Sequence, residues 1–270
     1  MIRSTRVLSR RTFLRDLGHG AFGLTVVALA ACAPKHEGTF DPLTYAGNLE
    51  EIEAVWCEEG LPSAAPPTAS DPDPAVPRTW ERIGDAQASG YILVRDGEAT
   101  VVDTGPWCMP ELIEGGLMAV GLDWSAVSSV IVTHKHPDHW VGLRFALELA
   151  VDAVAYAGAA DIPHIASPRP VVAVGAGDRV MDLVIIPTPG HTPGHIVVHD
   201  EAAGVLVVGD AISYDRNQGF ILLGTSEDLR QAQASVGILG GLSFDTLLPG
   251  HGDTIVGGAH EQLTEFLLAT

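Results

Sequence analysis

Hydrophobic and polar positions fall into two regimes along this chain. Between Thr79 and Val102 they alternate, which predicts strands over Thr79–Ile83, Gly90–Arg95 and Ala99–Val102. Asp96-Gly97 supplies the hairpin turn between the last two, so this part reads as a β-meander. An earlier alternating stretch, Ile52–Cys57, predicts a first strand, and the six prolines of Leu61–Pro77 make the segment after it a loop or linker. From Met109 onward, helical periods take turns with short apolar runs. Helices are predicted at Met109–Val120, Trp140–Ala150, Glu227–Leu239 and Ala259–Leu268. Strands are predicted at Val130–Thr133, Ala153–Tyr156, Val171–Val174, Leu183–Pro187, Ile196–His199, Val205–Val208 and Thr246–Leu248. Runs such as Val-Ile-Val and Val-Leu-Val-Val suit strands covered on both faces, hence sheets sandwiched between helices in an α/β protein. No period indicates a repeat array.

The first 32 residues differ in kind. Arg3, Arg6, Arg10, Arg11 and Arg15 precede an uncharged run from Gly20 to Ala31 that ends in Leu29-Ala30-Ala31-Cys32. The run is too short to span a bilayer, and a basic region, an apolar region and small residues in that order are the layout of a signal peptide. Ser9-Arg10-Arg11-Thr12-Phe13-Leu14 resembles a twin-arginine signal, and Leu-Ala-Ala-Cys resembles a lipoprotein lipobox. An ordinary secretory signal, and cleavage near Ala31 without lipid, remain open. Residues 1–32 are therefore expected to be a signal peptide, 33–48 a tether, and 49–270 one domain. The expected location is the cell envelope or periplasm, with the chain held to a membrane by lipid on Cys32. Cys57 and Cys108 can pair as one disulfide or remain as two thiols, and neither has CxxC spacing.

At 270 residues with 46% hydrophobic composition the chain can bury a full core. Its formal charge is −19, and the first 32 residues, with five Arg and one Asp, contribute +4 of it, leaving −23 on the remainder. Such a surface repels phosphate backbones and disfavours a nucleic-acid partner. A small-molecule substrate is expected instead. Lys35 and Lys135 are the only lysines.

The segment Thr133-His134-Lys135-His136-Pro137-Asp138-His139-Trp140 puts three imidazoles and one carboxylate into six consecutive positions directly after a strand. In extended chain His134 and His136 point to the same side, so both can reach one metal ion. Pro137 is expected to keep a helix from starting at once, and its turn lets Asp138 and His139 face a neighbouring point. Imidazole nitrogen with carboxylate oxygen suits Zn²⁺ and is acceptable to Fe or Mn. Three further ligand motifs follow, each after a predicted strand and within a Gly or Pro turn: Thr188-Pro189-Gly190-His191, Gly209-Asp210-Ala211 and Pro249-Gly250-His251-Gly252.

With these motifs in this order, and with Val101-Val102-Asp103-Thr104-Gly105 before them, the chain resembles the metallo-β-lactamase superfamily over Gly90 to His251. The resemblance implies a four-layer αββα sandwich of two mixed sheets flanked by helices. It implies that His134, His136 and His191 hold one zinc ion, that Asp138, His139 and His251 hold a second, and that Asp210 bridges them. It also implies that a water or hydroxide between the ions is the nucleophile, with Asp138 orienting it and accepting its proton. Asp103 is expected to support the ligand loops rather than touch metal. His195, in a second Thr-Pro-Gly-His, is expected to be structural or to stand behind the ligands. Tyr214 lies one position later than the substrate-contacting tyrosine of the lactonases of this fold, which makes it a candidate substrate contact. Trp107 and Trp140 flank the expected cleft, and His164, His199 and His260 fall outside any ligand spacing.

Within that superfamily, Asp210 argues against β-lactamase activity, because class B β-lactamases lack a bridging aspartate there. Glyoxalase II relatives carry a helical domain after the last ligand, whereas nineteen residues follow His251. Flavodiiron proteins have glutamate in place of the second histidine, and the nucleases of the fold insert a further domain. A compact hydrolase of a small ester, lactone or thioester is expected. Asp103-Thr104-Gly105-Pro106-Trp107 resembles the stand-alone hydrolases of the fold. The alternatives are a mononuclear iron oxidoreductase resembling the persulfide dioxygenases and a metal-free binding module. The expected specificity loops, Leu61–Pro77 and Asp161–Pro170, carry no readable code.

Overall fold

A computed structural model describes residues 80–84, 87–106 and 111–269. The signal-like segment to Cys32, the tether, the strand expected at Ile52–Cys57, the loop Leu61–Pro77, Trp107, Cys57 and Cys108 lie outside them. The described chain opens with the expected meander: β1 (Trp80–Gly84), β2 (Ser89–Arg95) and β3 (Glu98–Val102) pair antiparallel. The turn between β2 and β3 puts Asp96 at φ 51° and Gly97 at φ 84°. Two left-handed residues in a two-residue loop match the twist of the flanking strands, and glycine takes the second without strain. Gly97→Ala is expected to cost about 1 kcal/mol, read as a lowered denaturation midpoint with an unchanged slope.

The chain then crosses over through α1 (Glu111–Ala119) to β4 (Val127–Val132), through α2 (Pro137–Trp140) and α3 (Leu143–Leu149) to β5 (Val154–Gly158), and on to β6 (Val171–Val174). These strands are parallel to β3 and complete a mixed sheet in the order β1-β2-β3-β4-β5-β6. A second mixed sheet runs β14-β13-β10-β9-β8-β7. It is made from β7 (Arg179–Val180), β8 (Leu183–Pro187), β9 (Ile196–Asp200), β10 (Val205–Gly209), β13 (Thr246–Pro249) and β14 (Ile255–Val256). A short hairpin, β11 (Ser213–Asp215) with β12 (Gly219–Ile221), follows β10. Helices α4 (Leu229–Leu239) and α5 (Ala259–Ala269) belong to this half.

Side-chain alternation explains the layering, since successive residues of a strand point to opposite faces. From β2, Tyr91 and Leu93 enter a core between the sheets, while Ile92 enters a second core against α1 and α3. In β4, Ile131 goes to the inner core, and Val130 and Val132 go to the outer one. From β10, Val205 and Val207 face inward, while Leu206 and Val208 pack under α4 and α5 with Val236, Leu239 and Leu263. Three buried clusters separating four layers are the αββα sandwich. Within the described residues the expected strands and helices recur to within a few residues, with two exceptions. Trp140–Ala150 divides into α2 and α3, and Pro137 starts α2 instead of delaying a helix. Proline is well placed at a first helical position, where its missing N–H has no partner to lose.

Candidate metal centre

The ligand candidates and Asp103 sit just after the C-terminal ends of strands. Asp103 follows β3, the His134–His139 segment follows β4, His191 follows β8, Asp210 follows β10 and His251 follows β13. Parallel pairing of β3 with β4 and of β10 with β13 aligns these ends at one edge of the sandwich. Hydrogen bonds lock the strand-end loops together across the two sheets. Ile196 N donates to Thr133 O (2.9 Å), and Ser89 N donates to Gly250 O (2.9 Å). Gly250 leaves room for the site, because a Cβ there would lie 2.4 Å from Asp210 Oδ1 and 2.6 Å from His139 Cε1.

Two ligand sets result. His134, His136, His191 and Asp210 are all buried, with ligand atoms within 4.8 Å of one another, and Asp138, His139 and His251 form a second such group. In the first set, His134 Nε2 and His191 Nε2 each lie 2.9 Å from His136 Nδ1. A tetrahedral zinc ion at its usual bond lengths holds nitrogens roughly 3.3 Å apart, so these two spacings are slightly contracted but of the right kind. In the second set, His251 Nε2 lies 3.1 Å from Asp138 Oδ2. The side chains of Asp138 and His251 are each 26% exposed, against 1% for His139, so this set opens to solvent.

Asp210 lies between the sets. Its Oδ2 is 3.3 Å from His191 Nε2 and 3.3 Å from His251 Nε2, and its Oδ1 is 3.4 Å from His139 Nε2. His139 Nε2 and Asp210 Oδ1 are buried and lack hydrogen-bond partners. Two orphaned polar atoms facing each other across 3.4 Å are costly unless a third group satisfies both, and a cation does so. The residues therefore fit a bound metal.

The charge pattern supports the same fit. Burial and neighbouring histidines hold His134 well below the usual imidazole range; burial first, with His139 and Lys135 adding to it, lowers His136, and burial with His136 and His139 takes His191 down to about 4, both against the pull of Asp210 and Asp138. These three are neutral and ready to ligate. For His139 and His251 burial also favours the neutral form, but nearby carboxylates overcome it. Asp210, Asp103 and Asp138 raise His139 to about 9, and Asp138 and Asp210 raise His251 to about 11. Burial would raise Asp138 and Asp210, yet His139 and His251 hold both below the carboxylate range.

The groups behind the ligands fix their rings. Asp103, with φ 57°, accepts from Thr133 N and Thr133 Oγ1 at 2.7 Å each and pairs with His139 Nδ1 at 2.7 Å. That leaves His139 Nε2 for the centre. His251 Nδ1 meets the carbonyl of Gln87, and His191 Nδ1 lies 3.3 Å from Ser226 Oγ. His195 has both ring nitrogens engaged, with Nδ1 2.7 Å from Thr188 Oγ1 and Nε2 accepting from Asp210 N at 3.1 Å. It steadies the backbone of the bridging residue. Tyr214 pairs with Phe220 across the β11–β12 hairpin, and its hydroxyl donates to Gln262 Oε1 of α5 at 3.3 Å. Trp140 is buried and donates to Lys135 O. His199 and His260 bond to the carbonyls of Ser243 and Gly240, away from the ligands. One participant was not singled out by sequence: Asp161, fully buried, accepts from backbone on both first-set loops.

Fold and site define an αββα sandwich with a His/Asp metal centre between its strand ends. The family model of the metallo-beta-lactamase superfamily matches residues 83–251, and the chain belongs to that superfamily. Over 129 residues it is 35% identical to a hydroxyacylglutathione hydrolase of Cereibacter sphaeroides, covering 44% of this chain and 46% of that protein. The chain thus spans about half the length of the curated relatives it matches. Among solved structures, TTHA1623 in a di-iron-bound form superposes with a TM-score of 0.55 and 25% identity, covering 69% of this chain and 98% of that one. The metallo-beta-lactamase FIM-1 of Pseudomonas aeruginosa in a mono-zinc form gives 0.52 and 23%, covering 67% and 83%. That second likeness bears on the fold.

Proposed function

We propose that this chain is a dinuclear zinc hydrolase of small thioesters, esters or lactones. The observation that carries the reading is Asp210, one buried carboxylate within 3.4 Å of histidines from both sets. His134, His136 and His191 would hold one ion, and Asp138, His139 and His251 the other, with Asp210 shared. Bound metal supplies Lewis acidity toward a scissile carbonyl and lowers the pKa of a water in the site. The chain's own residues do the rest. Asp138, ionised and partly exposed, can take the proton of the attacking water on its carboxylate and return it to the leaving group. His139, fixed by Asp103, and His251, fixed by the Gln87 carbonyl, keep the carboxylates of Asp138 and Asp210 in place.

Likeness to a hydroxyacylglutathione hydrolase supports an acyl thioester as substrate. The charge pattern favours a neutral molecule over a polyanion, because Lys135 is already paired with Glu227 at 2.7 Å. The same proposal includes export by the N-terminal signal and a lipid tether at Cys32, on the sequence alone. To test the activity, the full chain is stripped with a chelator, reloaded with zinc, and assayed against thioesters, esters and lactones. Turnover that vanishes on stripping and returns with zinc is expected, with two zinc ions bound per chain. Failure to exceed the stripped protein on every substrate would sink the hydrolase reading. One iron per chain with oxygen uptake on a persulfide would replace it by an oxidoreductase.

A further inference from the structure

We infer that Asp161 is a positioning residue of the first ligand set, a buried carboxylate distinct from Asp103, which bonds His139 of the second. The inference rests on the two-ion reading above. Asp161 follows β5 and is fully buried. Its Oδ1 accepts from Gly194 N at 2.8 Å, and its Oδ2 accepts from Lys135 N at 3.0 Å and from Thr192 Oγ1. Lys135 stands between His134 and His136, and Thr192 and Gly194 follow His191. One carboxylate therefore ties the loop after β4, in the first sheet, to the turn after β8, in the second. Those two loops carry all three imidazoles of the first set; the loop after β4 also carries Asp138 and His139, but Asp161 bonds it at Lys135, between His134 and His136.

The arrangement is specific to a carboxylate at this position. Two of the three donors are backbone N–H groups, which cannot turn round, so an asparagine amide would set its NH₂ against one of them. Space is tight as well, because a Cβ on Gly194 would lie 2.7 Å from Asp161 Oδ1. Groups of this kind, behind the ligands, commonly change metal affinity by about 10- to 100-fold when altered. Asp103 bonds the second set directly, at His139 Nδ1, and reaches the first only through Thr133, whose Oγ1 lies 3.1 Å from His134 Nδ1.

The test is a cobalt(II) titration of the stripped full chain, followed by visible absorption, for the wild type, D161N, D103N and D200N. Asp200 is an equally buried carboxylate on β9, bonded to Arg95 and to the backbone of Ala202 and Ala203. Its replacement reports what loss of a buried carboxylate does to stability alone. Expected for D161N is a first-set affinity lower by about 10- to 100-fold with the second set nearly unchanged. D103N is expected to weaken the second set most and the first by less, and D200N to show a lower melting temperature with both affinities intact. The inference is overturned if D161N weakens both sets equally, or melts lower while binding cobalt as the wild type does. If D161N does not fold, Thr192→Val, which removes one donor and keeps both backbone bonds, carries the test. A several-fold weaker first set is then expected, and an unchanged one overturns the inference. These affinities are read without turnover, so an inactive enzyme would sink the hydrolase reading and leave this one standing.

Discussion

Asp210→Asn is expected to lower kcat/KM by on the order of 10³-fold and to reduce the bound metal from two ions per chain toward one or none. The reason is position. Among the described residues, Asp210 is the one whose two oxygens reach ligand nitrogens of both sets, Oδ2 toward His191 and His251 and Oδ1 toward His139. Asparagine keeps the shape, and its backbone N–H can still donate to His195, so the strand end should stay in place. It loses the negative charge, and it turns one oxygen into a donor that faces an imidazole nitrogen. The charge matters because Asp210 is buried beside histidines from both sets, where no water can replace it. Metal content by mass spectrometry, a melting curve and steady-state rates on the best substrate check this together. Two ions per chain with kcat/KM within tenfold of the wild type would show that Asp210 is not the bridge.

How much of this centre was legible depended on how far apart its parts lie along the chain. Six consecutive positions hold His134, His136, Asp138 and His139, so local spacing announces them. His191 and His195 present a harder case, since both follow Thr-Pro-Gly and spacing alone makes either a ligand. What separates them is that both nitrogens of His195 are taken, by Thr188 and by the Asp210 backbone, which only the folded chain reveals. Asp161 gives no local signal at all. Its partners stand 26, 31 and 33 residues away, and its significance comes from two sheets meeting.

A similar rule applied to the elements. Strands of four or more residues with apolar alternation were readable, whereas β7 and β14, two residues each, and the three-residue β11 and β12 are too short to show a period. They are fixed by pairing with a neighbour already in place. Pro137 marks a different limit, because the same residue type signals either the end of a helix or its start. Proline ends a helix from within but opens one well, and α2 begins there.

Loading the two ligand sets is expected to differ in its proton cost: filling the second releases close to two protons near neutral pH, while filling the first releases almost none. His139 and His251, raised to about 9 and about 11 by the carboxylates around them, are protonated in the metal-free protein, and a metal must displace both protons. His134, His136 and His191 are lowered by burial and already neutral, and Asp138 and Asp210 are already ionised. The sign follows directly, because protons compete with the metal only where they are bound. Raising the pH should therefore strengthen second-set binding by about 100-fold per pH unit up to about 9, where His139 loses its proton unaided. Above that the slope should fall to about tenfold per unit until His251 also titrates, at about 11. First-set affinity should be nearly flat over the neutral range. Calorimetric titration of the stripped chain with zinc, in buffers of contrasting ionisation enthalpy, separates the two equivalents by their proton counts. Equal proton release from both equivalents, or a second-set affinity indifferent to pH near neutrality, would mean that Asp138 and Asp210 do not hold charged imidazoles before the metal arrives.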